Sequence, residues 1–208
     1  SKLGFAIEPE TAAAMRRQVH RLHCIAAERI REELTGLLCG RYVQRTLMTY
    51  ADLITSALPE LAPMQGCQQQ NPHHLYDVWE HTVRAVGQVP AEPVLRWAML
   101  LHDSGKPACK TVDEQGIGHF RGHPKVSREI AERVVARLRF STEDSERILL
   151  LVERHDTPLG DNEKLVRRSL SRIGEARFRD LLAIKKGDAV GQGTSRDYVA
   201  QLFETEAL

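Results

Sequence analysis

No run of this 208-residue chain is apolar for the roughly 20 residues that a membrane span requires, and no secretory signal pattern is present. That excludes an integral helical membrane protein and favours a cytoplasmic one. Cysteine is scarce and scattered: Cys24, Cys39, Cys67 and Cys109 show no Cys-x-x-Cys spacing, which sets aside a zinc ribbon and leaves reduced thiols as the simplest account. Aromatic residues make up only 5% of the chain. A charge of one sign is lacking too, since 29 Lys and Arg face 28 Asp and Glu for a net charge of +1. Any affinity for nucleic acid must therefore arise from local patches rather than the whole-molecule field. Arg16, Arg17, His20 and Arg21 form one such patch, and Arg167, Arg168 and Arg172 form another.

What is present is an apolar content of 42% in long segments of helical period, which predicts an all-α fold. The punctuation predicts one helix from about Pro9 to Leu38 and a second from Arg41 to Ala57. A linker follows over residues 59–74, rich in Pro and carrying three consecutive glutamines, with a helical bundle beyond it. The resulting divisions are a helical segment at 1–60, a linker at 61–71, a bundle at 72–193 and a tail at 194–208. The chain opens on Ser1-Lys2-Leu3 rather than Met, the pattern expected of a piece of a longer protein.

Six residues form an ordered series through this bundle: His81, His102-Asp103, His123, His155 and Asp188. Imidazoles and carboxylates gathered by helices are the donors of a hydrolytic metal centre. The dyad ends an apolar helical run, Leu95 to Leu101, and is stopped by Gly105 and Pro107. Neighbouring helix positions lie roughly 100° apart, so His102 and Asp103 can grip an ion from two sides only near the helix terminus. Asp103 has two oxygens with which to bridge two ions. Lys106, one turn beyond His102, has an ammonium within reach of phosphate oxygens. His81 has a helical segment to hold it, and Pro124 suits the first turn of a helix from His123 to about Phe140. Ser141 to Asp144 read as the cap of a helix closed by His155, while Asp188 is a charged position in an otherwise amphipathic helix. Taken singly, each of these residues reads as a cap or a solvated side chain, and His20, His23, His73, His74 and His119 keep that reading. A second His-Asp pair, His155-Asp156, lacks the following Gly-Lys, so Asp156 is read as a cap or a partner to a ligand.

The series H…HD…D, carried by His81, His102, Asp103 and Asp188, resembles the HD superfamily of metal-dependent phosphohydrolases. His123 and His155 stand where members with two metals have additional histidines. Further segments, among them Gly4 to Thr11, Glu28 to Leu34, Leu58 to Leu61, Gln70 to His74 with Glu80-His-Thr82, and His119-Phe-Arg-Gly-His123, resemble the C-terminal part of bacterial CCA-adding enzymes that carry a fused HD domain. The resemblance implies an RNA-binding helical body over residues 1–60, tRNA as a partner, and a polymerase-type head that this chain does not carry. No strand-borne Gly-Ser box with paired aspartates occurs, and Gly191-Gln-Gly193-Thr-Ser195 falls after the HD region. It also implies hydrolysis of phosphomonoesters or cyclic phosphodiesters of nucleotides or RNA ends.

One or two divalent ions (Mg, Mn, Fe, Ni, Co or Zn) are the expected cofactor, Asp103 and Lys106 the catalytic residues, and Lys106 and Arg121 the substrate-binding ones. Two alternatives stand beside this reading: an RNA-binding module serving an absent nucleotidyltransferase head, and a helical interaction module with a vestigial site.

Overall fold

The computed structural model describes residues 2–71, 75–158 and 163–193; His73, His74 and the expected tail at 194–208 lie outside them. Among the described residues the chain is all-α, with eleven α-helices and a single two-stranded hairpin. No described helix is long and apolar enough to cross a membrane.

The N-terminal helices differ from expectation. Instead of one helix to Leu38, the chain forms α1 (Pro9–Gln18), a 3₁₀ helix (Val19–Cys24), an extended step at Ile25 and Ala26, and α2 (Ala27–Leu38). A straight helix of that length would be about 45 Å long and would overrun its neighbours. The break folds α1 back so that Arg16 pairs with Asp52. Similarly, the helix expected from Arg41 to Ala57 is two, α3 (Val43–Thr49) and α4 (Ala51–Ala57), divided at Tyr50 where φ is −119° and ψ is 32°. The stretch read as a linker is built through Asn71: Pro59–Met64 is a 3₁₀ helix whose Leu61 and Met64 are fully buried.

The second part contains α5 (Val78–Gln88), α6 (Pro93–Leu101), the short α7 (Lys106–Cys109), a hairpin of β1 (Thr111–Val112) with β2 (Gly118–His119), and then α8 (His123–Arg137), α9 (Thr142–Arg154), α10 (Glu163–Ile173) and α11 (Glu175–Gln192). Side-chain caps start the helices that matter for the site. Asp77 accepts from Glu80 N at 2.7 Å, Glu92 from Leu95 N at 2.8 Å, and Ser141 from Asp144 N at 3.1 Å. Each such cap is worth about 1 kcal/mol.

Helix α6 is central, with every residue from Val94 to Leu101 buried. Apart from Arg96, whose Nε donates to Pro90 O at 3.0 Å, it is apolar all round, and such a helix must be enclosed by others. Trp97, fully buried, donates from Nε1 to Thr35 Oγ1 at 2.8 Å and meets the Phe140 ring edge-on at 5.2 Å. One core therefore runs from Leu34 and Leu38 of α2 through α5, α6, α8 and α9 to Leu181 and Leu182 of α11.

Helix α11, expected to be amphipathic, is instead buried on several sides, at Phe178, Leu181, Leu182, Ile184, Lys185, Gly187, Ala189 and Gly191. Its close approach to α5 requires a residue without a side chain, because a Cβ on Gly191 would lie 2.8 Å from Ala85 Cβ and 3.0 Å from Ala85 Cα and N. This contact brings Asp188 up to His81. Gly191→Val should push the helices apart, lowering stability by about 1–3 kcal/mol in thermal or urea denaturation. The same variant should purify with less bound metal than the parent protein.

Candidate metal centre

Five helix segments deliver the six residues of the series to one place. His81 lies mid-way along α5, His102 and Asp103 at the C-terminal end of α6, His123 at the first position of α8, His155 at the end of α9 and Asp188 in the penultimate turn of α11. His81 and His102 are 0% exposed, Asp103 1%, His155 3% and His123 7%, so the cluster is interior.

The donor atoms form two sets that share one carboxylate. In the first, His81 Nε2 is 3.3 Å from Asp103 Oδ2, 3.0 Å from Asp188 Oδ1 and 3.3 Å from His102 Nε2. His102 Nε2 is 3.2 Å from Asp103 Oδ2 and 3.5 Å from Asp188 Oδ1. In the second, Asp103 Oδ1 is 3.2 Å from His123 Nε2 and 3.6 Å from His155 Nε2, and those two nitrogens are 3.1 Å apart. Ligands held about 2.1 Å from a central ion stand about 3.0–3.4 Å from one another in octahedral or tetrahedral arrangement. The distances in both sets are close to that spacing, and His81, His102 and Asp103, like Asp103, His123 and His155, lie near enough together to hold an ion.

Three of the imidazoles are locked in the tautomer a metal needs. His102 Nδ1 donates to Met99 O at 2.7 Å, His123 Nδ1 to Phe120 O at 2.9 Å, and His155 Nδ1 to Val152 O at 2.7 Å. Each bond ties up the outer nitrogen and turns Nε2 inward. Neither Asp103 oxygen accepts a well-formed hydrogen bond despite complete burial, although Lys106 Nζ lies 2.8 Å from Oδ2. A buried carboxylate left in this way requires positive charge. The electrostatics agree. Burial pushes His102 down, but Asp103 and Asp188 outweigh it and raise the group to about 10. His81 is raised by the same balance. Asp103 and Asp188 resist the upward pull of burial and lie well below the carboxylate range, held there by the neighbouring imidazoles and, for Asp103, by Lys106. Burial and the charge of His102 lower His155. The donor set, the spacing and the unsatisfied carboxylate fit divalent cations.

The cluster opens on a cleft of about 300 Å³. Lys106 lines it and is 6% exposed, more enclosed than a solvated lysine, with Nζ also 2.8 Å from Gln69 Oε1. Arg121 lines the cleft as an exposed side chain, and Asp156 stands exposed at its edge rather than among the six. His119, read from sequence as solvated or capping, pairs with Asp113 at 2.7 Å beside the cleft. His20 and His23 are exposed on the N-terminal 3₁₀ helix.

Sequence reasoning missed three supporting residues. Lys185, 4% exposed, donates to His155 O at 2.7 Å and so holds the end of α9. Ser127 Oγ accepts from Gly105 N at 2.9 Å, where a Cβ on Gly105 would lie 2.5 Å from Ser127 N. Gln69 is the third. Lys185 had a legible signal, a lysine directly after the apolar run Leu181–Ile184 and one turn before Asp188, and Ser127 stands one turn after His123. Gln69 had none, because it sits in a stretch that reads as linker.

Residues 73–183 match the HD domain family, and the chain belongs to it. Residues 4–65 match the family described as the probable RNA and SrmB- binding site of polymerase A. Among characterised relatives, the chain is 36% identical over 199 residues to an A-adding tRNA nucleotidyltransferase of Deinococcus radiodurans, covering 89% of this chain and 45% of that protein. It is 38% identical over 210 residues to a CC-adding tRNA nucleotidyltransferase of Thermus thermophilus, covering 94% of this chain and 48% of that protein. A multifunctional CCA protein of Azoarcus sp. is 31% identical over 160 residues. The chain spans less than half the length of each of these relatives.

The two donor sets should separate experimentally. Asp103→Ala should strip the protein of metal, whereas His102→Ala and His155→Ala should each lower the content from two ions toward one, as read by elemental analysis after loading and desalting. Retention of a full ion by Asp103→Ala would contradict the shared-carboxylate geometry.

Proposed function

We propose that this chain is a metal-dependent phosphohydrolase acting on phosphomonoesters or cyclic phosphodiesters of nucleotides or RNA ends. The observation that carries this reading is the pair of donor sets sharing Asp103 at the floor of a cleft that Lys106 and Arg121 also line. The ligands are His81, His102, Asp103 and Asp188 for one ion, and Asp103, His123 and His155 for a second. Their mixed nitrogen and oxygen donors suit Mn, Fe, Ni, Co, Zn or Mg. Divalent ions bound there supply a water acidified toward neutrality and polarise the phosphoryl oxygens.

The protein's own groups do the rest. Asp103 holds both sets in register and orients the attacking oxygen. The Lys106 ammonium offsets the negative charge that builds on the phosphoryl oxygens, and Arg121, at the cleft edge, draws in an anionic substrate. Burial of the floor strengthens each of these interactions.

The test is a hydrolysis panel of 2′,3′-cyclic AMP, a nucleoside monophosphate and a dinucleoside tetraphosphate, with Mg, Mn, Ni and Co supplied in turn. Turnover of at least one substrate is expected, abolished by Asp103→Ala and reduced roughly 10²–10³-fold by Lys106→Met. Absence of turnover under every condition would refute the hydrolase reading.

A second reading has its own support in the N-terminal family match and in relatives that act on tRNA. In it, the helical segment to about residue 60 is an RNA-binding body serving a nucleotidyltransferase head, in a cytoplasmic protein. Arg17, His20 and Arg21 are exposed, and Arg16 is exposed while paired to Asp52. Replacing Arg17 and Arg21 with alanine should weaken tRNA binding and flatten its salt dependence, measured by filter binding across a salt series.

A further inference from the structure

The three glutamines at 68–70 form an ordered strap against the cleft. Lys110 Nζ donates to Gln68 O at 2.6 Å, and Gly118 N donates to Gln70 O at 2.9 Å. Gln69 O fills the space where a side chain on residue 118 would begin, 2.1 Å from the Cβ position, so the strap and β2 meet only because residue 118 is glycine. Gln69 itself is 1% exposed. Its Nε2 donates to Tyr76 O at 3.1 Å, and its Oε1 accepts from Lys106 Nζ at 2.8 Å. Only one orientation of the amide suits these partners, since an ammonium only donates and a carbonyl only accepts.

From this geometry we infer that Gln69 is a positioning residue for Lys106, setting the direction in which its ammonium meets a substrate phosphate. Lys106 Nζ has three N–H groups. It donates one to Gln69 Oε1, and the ammonium ion-pairs with Asp103 Oδ2, 2.8 Å away. That leaves an N–H for an anionic oxygen in the cleft that Lys106 lines. The Phe120 ring, centred 5.5 Å from Nζ, is too distant to accept a hydrogen bond. With Gln69 removed, a single strong partner remains, and the ammonium can rotate and settle on Asp103 alone. Glutamine suits the place because it offers both a donor and an acceptor at this reach. Glutamate would set a second carboxylate beside Asp103 and confront Tyr76 O with an acceptor, while asparagine lacks a methylene of reach.

The inference rests on Lys106 being the group that meets phosphate, and a double-mutant cycle separates the two ideas. Gln69→Met, Lys106→Met and the double variant would be prepared as full-length, metal-loaded chains, with Gln69→Leu as a second replacement and thermal denaturation to establish folding. The readouts are affinity for inorganic phosphate by titration calorimetry, KM and kcat for 2′,3′-cyclic AMP, and metal content. Gln69→Met should weaken phosphate binding about tenfold, the lower end expected for a hydrogen bond to a charged group, with metal content unchanged. In the Lys106→Met background the same replacement should have no further effect.

A loss of equal size in both backgrounds would make Gln69 merely structural and overturn the inference, as would unchanged affinity in Gln69→Met when Lys106→Met is impaired. Unchanged affinity in Lys106→Met would refute the role of Lys106, and this inference with it. Phosphate binding that follows the cycle without any turnover would refute the hydrolase reading alone.

Discussion

The Asp103 carboxylate is buried to 1% exposure, with imidazole nitrogens on both of its oxygens and an ammonium on one. An isolated carboxylate in such a place would protonate or unfold its surroundings, since desolvating a charge costs several kcal/mol even after relaxation. Positive charge around it is therefore a condition of the fold, and four helices besides its own are arranged to supply it. Lys106 supplies part of that charge, and the carboxylates push His102 and His81 toward their protonated forms. Divalent cations held by the same donors would meet the same demand.

Helix ends are the means by which this is done. The last carbonyls of a helix have no partner within it. Here two of them, Met99 O and Val152 O, are occupied by His102 Nδ1 and His155 Nδ1. The residue that stops the helix is thereby the residue that faces the centre, and its ring is oriented by the helix it ends. Lys185 repeats the device from outside by donating to His155 O. Asp188 depends instead on the depth of helix contact, which a glycine at 191 permits.

The N-terminal helices and the HD region share one core, pinned by the Trp97 to Thr35 hydrogen bond and by Arg137 on Glu60. The strap at Gln68 to Gln70 continues that connection to the edge of the cleft. A contact made on the N-terminal helices is thus joined to the position of Lys106 by packed structure rather than by a loose tether.

The all-α class, the cap at Ser141, the start of a helix at His123 and the six-residue series were legible in the sequence, because helical period, capping chemistry and residue order are local properties. The family was legible for the same reason, through short motifs. The break at Ile25, the division at Tyr50 and the folded 59–71 stretch were not, since no Gly or Pro marks the first two and Pro with Gln normally marks a loop. Local pattern likewise could not show that Asp103 presents one oxygen to each set of histidines, or that a buried amide from a Gln run holds Lys106. Residue order thus names the chemical groups available and the helices that carry them. Their distances, burial and partners belong to the folded molecule, because these arise from how closely helices far apart in the chain approach one another.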